Sequence, residues 1–212
     1  MIARLRADVI TSSWTTDTLD ELLSDGALSA LMRDSRLPAL VELAGVDAPA
    51  ATLTRFFIGG QPERASALDA ALPTLGAAGL ETLGLAATID EDEAASALVM
   101  PRPCSKSAPK RERAQTGEGE EASFPTAPAL PTMRDPDEES EPEVVADPWM
   151  RALYDLRPHA ATLPGGEHEW WVTSDLGEGQ TGKPLADHHV MGIGGATRTL
   201  LEMTVRDQVD SA

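Results

Sequence analysis

Between Pro101 and Asp147 the chain carries half of its 16 prolines. Charge in this stretch is segregated: Lys106, Lys110, Arg111 and Arg113 come first, and Asp135, Asp137, Glu138, Glu139, Glu141 and Glu143 come last. Such a segment cannot bury enough apolar area to offset the ordering of its backbone, about 1 to 2 kcal/mol per residue. Folded structure must therefore come from the flanks. The composition predicts an α+β chain in three parts. Residues 1–100 are expected to form a helical, winged-helix-like domain, 101–147 a disordered Pro/Glu-rich insertion, and 148–212 a β-hairpin followed by a helix.

The first part reads as short helices joined by glycine and proline. Thr16 and Asp17 can cap a helix with Leu19, Leu22 and Leu23 on its inner face, and Gly26 is the expected stop. Leu28, Leu31 and Met32 continue the apolar spacing. A second helix is expected from Asp47, with Pro49 near its first position, presenting Leu53, Phe56 and Phe57 before Gly59-Gly60. A third presents Leu68, Ala71 and Leu72 and is limited by Pro73; a turn over Leu75 to Gly79 should follow. Three short helices with tight joints suggest a helix-turn-helix or winged-helix unit. The run Ala97 to Pro103 weakly echoes Leu153 to Pro158 and reads as a wing strand.

Beyond the insertion the period changes from 3.6 to 2. Met150, Ala152, Tyr154 and Leu156 alternate with Arg151, Leu153, Asp155 and Arg157, which predicts a half-buried strand with the first set inward. Glu169 to Thr173 reads as a second strand, paired with the first as a hairpin through Pro164-Gly165-Gly166. A final helix from about Gly195 carries Ala196, Leu200 and Met203 as an apolar stripe expected to pack, with Arg198 and Glu202 paired on the other side.

The balance of 35 acidic against 17 basic residues, a formal net charge of -18, argues against a free-standing nucleic-acid binder. Around the helix-turn-helix candidate only Arg55 and Arg64 oppose Glu63, Asp69 and Glu81, so direct DNA binding is not expected. The lone Cys104 cannot form an intrachain disulfide, Asp8 interrupts any signal-like region, and no run reaches the 18 to 20 apolar residues that cross a bilayer. A cytoplasmic protein without membrane contact is expected. His188 and His189 are adjacent and point apart, and His159 and His168 are the only other histidines, so no metal site is expected.

Several pieces occur together in a telling order: Leu5-Arg6-Ala7-Asp8, Trp14-Thr15, Leu19 to Leu23, Leu53 to Phe57, Leu156-Arg157-Pro158, Trp170 to Gly177, and Pro184 to Thr199. In that order they resemble segments of an actinobacterial family of class I S-adenosylmethionine-dependent methyltransferases, similar to those acting on release-factor glutamines. The run Asp187 to Leu201, D-H-H-V-M-G-I-G-G-A-T-R-T-L-L, is similar to the stretch preceding that family's first cofactor-binding strand. His189 takes the family's histidine position, while His188 stands where the family has an aspartate. The resemblance implies a fragment: a Rossmann-like domain with its glycine loop and an Asn-Pro-Pro-aromatic loop would follow, and this chain alone would not transfer methyl groups.

The site calls follow from that resemblance. Gly192, Gly194, Gly195 and Thr197 are expected to border the S-adenosylmethionine pocket, where backbone N–H groups at a helix start could face an anion. The competing reading of these glycines is close packing or a sharp helix entry. Trp170 and His189 are the expected substrate contacts; Trp170 and Trp171 point to opposite sides of a strand, so one of the two is expected in the core. No catalytic residue is assigned. Asp175-Leu176-Gly177 reads as a turn with a satisfied aspartate, and no nucleophile elbow surrounds Ser174, so no hydrolase triad is expected. The methyl acceptor, protein or nucleic acid, is left open. The alternative function is a stand-alone winged-helix interaction or regulatory protein with an acidic disordered arm.

Overall fold

The computed structural model describes residues 1–98, 146–163 and 166–204. Most of the expected insertion, the wing strand beyond Leu98, the Pro164-Gly165 turn and the Arg198–Glu202 pair lie outside the described residues and side chains. The described architecture is mixed α+β.

Helices α1 (Ile2–Thr11), α2 (Thr16–Leu22), α3 (Asp25–Leu31) and α4 (Leu37–Glu42) come first. Thr15 caps α2, its hydroxyl accepting from the Thr18 N–H, and Ser24 caps α3 by accepting from the Ala27 N–H. The expected stop at Gly26 is corrected: it lies in the first turn of α3, because the break occurs at Leu23, which turns extended. Glu42 ties the end of α4 to the start of α3, accepting from the Ser24 N–H and hydroxyl at 2.7 and 2.6 Å.

Helix α5 (Pro49–Leu53) starts after Ala48, with proline where its missing N–H costs nothing, and runs into a π-turn at Thr54–Ile58. The π-turn turns Phe56, Phe57 and Ile58 all inward. Trp14 stacks on Phe57 at 5.8 Å, Phe56 meets Phe57 edge-on at 4.9 Å, and the Trp14 indole donates to Thr54 Oγ1 at 2.9 Å. Each such aromatic contributes about 1.5 to 3 kcal/mol by burial, so these three residues and Leu53, Leu68, Leu72 and Leu80 form the centre of the core.

Strand β1 (Glu63–Arg64), α6 (Ala65–Ala71), α7 (Gly76–Thr82), β2 (Ala86–Ile89) and α8 (Glu91–Ala97) follow. The turn expected over Leu75 to Gly79 is mostly helix α7, whose start is capped from α6 by Asp69, accepting from the Ala77 N–H at 2.8 Å. That cap is a tertiary contact with no local signature. Buried Asp8 completes this corner, accepting from the Thr74 N–H and hydroxyl and from the Leu75 N–H.

After the insertion, β3 (Trp149–Ala152) enters the middle of an antiparallel sheet of order β1-β3-β2, pairing Met150 with Glu63 and with Thr88. The single strand expected over Met150 to Arg157 is broken at Leu153, whose N–H donates to the Leu85 carbonyl. Met150 and Ala152 face inward as expected. Past the break Leu156 faces the core as expected, Tyr154 is exposed, and Asp155, on the opposite face, is buried as well. Strands β4 (Tyr154–Leu163) and β5 (Gly166–Asp175) form the expected hairpin, longer than the sequence indicated. Two last helices, α9 (Glu178–Thr181) and α10 (Gly195–Met203), complete the described chain. The apolar stripe of α10 is not packed: Leu200 and Met203 are 68% and 74% exposed.

The start of β3 is clamped to α6. Asp147 accepts from the Ser66 N–H and hydroxyl at 2.9 and 2.7 Å, and the Arg64 guanidinium lies 4.1 Å over the Trp149 ring. A chain ending at residue 98 lacks the central strand and is expected to lose cooperative thermal unfolding, monitored by near-ultraviolet circular dichroism. The Ser66 hydroxyl holds the Asp147 carboxyl below its ordinary range, and the Ser24 hydroxyl does the same for Glu42. A depressed carboxyl stabilises the fold above the ordinary carboxylate range, near pH 4, and that stabilisation is lost as pH falls through the folded value. Unfolding midpoints taken from about pH 6 to pH 2 should fall less steeply in Asp147→Asn and Glu42→Gln than in the native chain.

Candidate functional site

Cross-strand partners share a face of a sheet, so the register of the hairpin places Asp155 and Arg157 of β4 on one face with Ser174 and Val172 of β5. This face forms one wall of a cleft of about 590 Å³. Leu31, Met32 and Asp34, at and after the end of α3, form a second side, and the chain from Gly177 through Ala196 a third. A neighbouring hollow of about 640 Å³, bordered by Leu28, Pro158 and Thr199, shares Leu31, Arg157 and Ile193 with it.

The polar centre of the cleft is a fork. Arg157, which lines the cleft, donates from Nε to Asp155 Oδ1 and from Nη2 to Asp155 Oδ2, each at 2.7 Å, a bidentate pair. Asp155 is only 3% exposed, and its charge is compensated by this pair and by a third donor, Gln180 Nε2, at 2.9 Å. At the end of β5, Asp175 exchanges bonds with Val190: the Val190 N–H donates to Oδ2 at 2.8 Å, and the Asp175 N–H donates to the Val190 carbonyl at 3.0 Å. His189 Nδ1 lies 3.9 Å from the same Oδ2. The satisfied aspartate expected at 175 is thus the anchor of the glycine-rich segment.

The glycines differ among themselves. A Cβ on Gly192 would come within 2.9 Å of Ser174 Oγ, so this position follows the close-packing reading. Gly194 and Gly195 have nothing within 4 Å of such a Cβ, and their φ values are ordinary. Neither the packing nor the backbone of the described residues demands glycine there. Gly194 is the residue before α10, which starts without a side-chain cap, so the first N–H groups of the helix lie beside the cleft.

Of the residues expected at a site, the structure brings Gly192, Gly194, Gly195 and His189 into the cleft lining. Thr197 and Trp170 are outside it. Trp170 is 43% exposed on the hairpin and stacks on His168 at 5.9 Å. Trp171 faces the core, its indole donating to the Trp14 carbonyl at 2.8 Å. Asp155, Arg157, Ser174 and Gln180 were not anticipated. The Asp155-x-Arg157 spacing carried a signal for two of them, since residues two apart in a strand share a face; nothing near Gln180 in sequence announces its partners. Both arginines of the helix-turn-helix candidate are engaged: Arg55 pairs with Glu63 at 2.6 Å and donates to the Leu43 and Val46 carbonyls, and Arg64 covers Trp149.

Residues 11–97 match a family model described as a domain of unknown function (DUF7059). No curated protein and no solved structure matches the chain. The matched stretch stops before β3 and the hairpin, and so omits Asp155, Arg157 and Gln180. Among the described residues no helix is long and apolar enough to cross a membrane, and no group of three His, Cys, Asp or Glu side chains could hold a metal ion.

Asp155→Ala leaves the Arg157 guanidinium without its partner and removes an acceptor from Gln180. A loss of about 2 kcal/mol is expected, read from denaturant unfolding. Gly194→Ala and Gly195→Ala should leave stability unchanged or raise it by up to about 1 kcal/mol in the same assay, since both sites have room and ordinary backbone.

Proposed function

We propose that this chain is the substrate-recognition and docking part of an S-adenosylmethionine-dependent methyltransferase acting in the cytoplasm on a planar nitrogen, a glutamine amide or a base amine. In this reading the helices with the β1-β3-β2 sheet are a winged-helix-like recognition domain, and the hairpin with α10 leads into a Rossmann-like catalytic domain. The observation that carries it is a coincidence of place. The segment whose sequence resembles the pre-cofactor stretch of such enzymes is also where apolar side chains lie uncovered: Val190, Met191, Ile193, Leu200 and Met203 are 39% to 76% exposed. Other large apolar side chains are exposed elsewhere, among them Ile2, Ile10 and Met32, but those from Val190 to Met203 lie within one short segment, which suits contact with a further domain.

The residues present fit the cofactor. Gly194 and Gly195 leave open space, and the uncapped N–H groups of α10 suit a carboxylate. Gly194 and Gly195 are assigned to its border and His189 to the side of the methyl acceptor, while Gly192 packs on Ser174 and Thr197 and Trp170, expected with them, lie outside the cleft. When bound, the cofactor supplies an electrophilic methyl group on a sulfonium. This chain's part is to bind and orient, which in such transfers supplies much of the rate; no catalytic residue is assigned to it.

A second reading, a stand-alone winged-helix interaction or regulatory protein, draws support from the closed core around Trp14, Phe56 and Phe57. The two differ in their response to cofactor. The native full-length protein, isolated from its source cells, is equilibrated with methyl-labelled S-adenosylmethionine in dialysis. Retention of label, weakened about tenfold or more by Gly195→Val, is expected. Absence of retention by the native protein would overturn the methyltransferase reading and favour the second.

A further inference from the structure

One side chain joins the cleft's outer wall to the helical part of the fold. Gln180 lies in α9, a helix of four residues that buries no side chain. Its Nε2 is placed 3.1 Å from the Phe57 carbonyl, 3.0 Å from the Ile58 carbonyl and 2.9 Å from Asp155 Oδ2, and its Oε1 accepts from the Gly177 N–H at 2.8 Å. Three acceptors around one nitrogen determine the orientation of the amide, because the flipped form would set oxygen against oxygen three times.

The acceptors are not incidental. The C-terminal carbonyls of a helix have no partner within it, and the π-turn ends with those of Phe57 and Ile58 directed at the Gln180 amide. The approach is tight on the facing side as well. Gly60 has φ +62, and a Cβ there would lie 3.1 Å from Gln180 Cβ, so the glycine leaves the space that the side chain occupies. Arg36 holds the same turn from the other direction by donating to the Gly59 carbonyl. Beyond α9 the wall is tied back to the hairpin at Asp175–Val190, while most side chains from Glu178 to Gly195 are exposed.

We propose that Gln180 is a polar clasp that positions the cleft: its carboxamide, through the π-turn carbonyls and Asp155, holds the Gly177–Ala196 wall against the helical part and thereby sets the opening in front of Arg157. The clasp works through hydrogen bonds, not through the volume of the side chain. It does not depend on the methyltransferase reading, since it concerns the wall and not what the cleft binds.

Hydrogen exchange of the full chain tests this with Gln180→Ala and Gln180→Met, the second keeping the length of the stem and losing both donors. Exchange at the Gly177, Thr181, Gly182, His189 and Val190 amides should rise about tenfold or more in both variants, with the Leu19 and Leu72 amides and the unfolding midpoint little changed. Three outcomes would overturn the proposal. Protection kept in Gln180→Met but lost in Gln180→Ala would make the role one of packing. Unchanged exchange in both would mean no clasp. Loss of cooperative unfolding, or equal acceleration at Leu19 and Leu72, would make Gln180 a support of the whole fold and not of the wall.

Discussion

Strand β3 is the constraint on which the other parts depend. It lies between β1 and β2 and supplies Met150 and Ala152 to the core, yet it comes from beyond the long Pro/Glu-rich segment. Without it the two outer strands, of two and four residues, would have no common partner. Such short strands are not stable alone. The clamps around its start, Asp147 on α6 and Arg64 on Trp149, hold both sides of that segment to one sheet. Because β4 follows after a single residue, the placement of β3 also determines where the hairpin begins and which of its faces looks toward α3.

From that starting point the cleft is built by polar contacts more than by apolar packing. The buried Asp155 would be costly alone; the Arg157 fork and the Gln180 amide together satisfy it. The two N–H groups of the same amide are shared among Asp155 and the carbonyls left over by the π-turn, so one network serves the end of a helix, a buried charge and the wall of the cleft. Apolar packing accounts for the opposite surface of the hairpin, where Leu156 and Trp171 meet the Trp14 region. The division gives the protein a rigid core and a cleft whose third side rests on a few hydrogen bonds, the usual arrangement where a region must accommodate a ligand or another domain.

Much of the fold was legible because apolar periodicity and turn residues report directly on local structure. The core positions Leu53, Phe56, Phe57, Leu68 and Leu72, the hairpin around Gly166, and the helix from Gly195 were all visible in this way. The helix boundaries that escaped depended on single contacts and backbone turns without a periodic signature: Asp69 of one helix capping the next, and Leu23 turning extended before the Ser24 cap. At the site, His189 and the glycines were singled out by resemblance, and the structure shows only that they line the cleft. Asp155 was placed on the correct face, opposite Leu156, but its burial was not legible, because the groups that cover that face come from Arg157 and from Gln180 far along the chain.

By itself the sequence determined which segments could fold, the helical character of the first part, the paired strands of the second, and a charge balance unsuited to a free-standing nucleic-acid binder. Those properties are local or compositional, carried by side-chain spacing and net charge. Only the tertiary structure decided that β3 fills the middle of the sheet, that the Asp155–Arg157 pair lines a cleft, and that Gln180 meets carbonyls more than a hundred positions away. Hydrogen bonds between distant groups leave no periodic trace in either partner, because each residue needs only the right atom at the right place once the chain has brought them together.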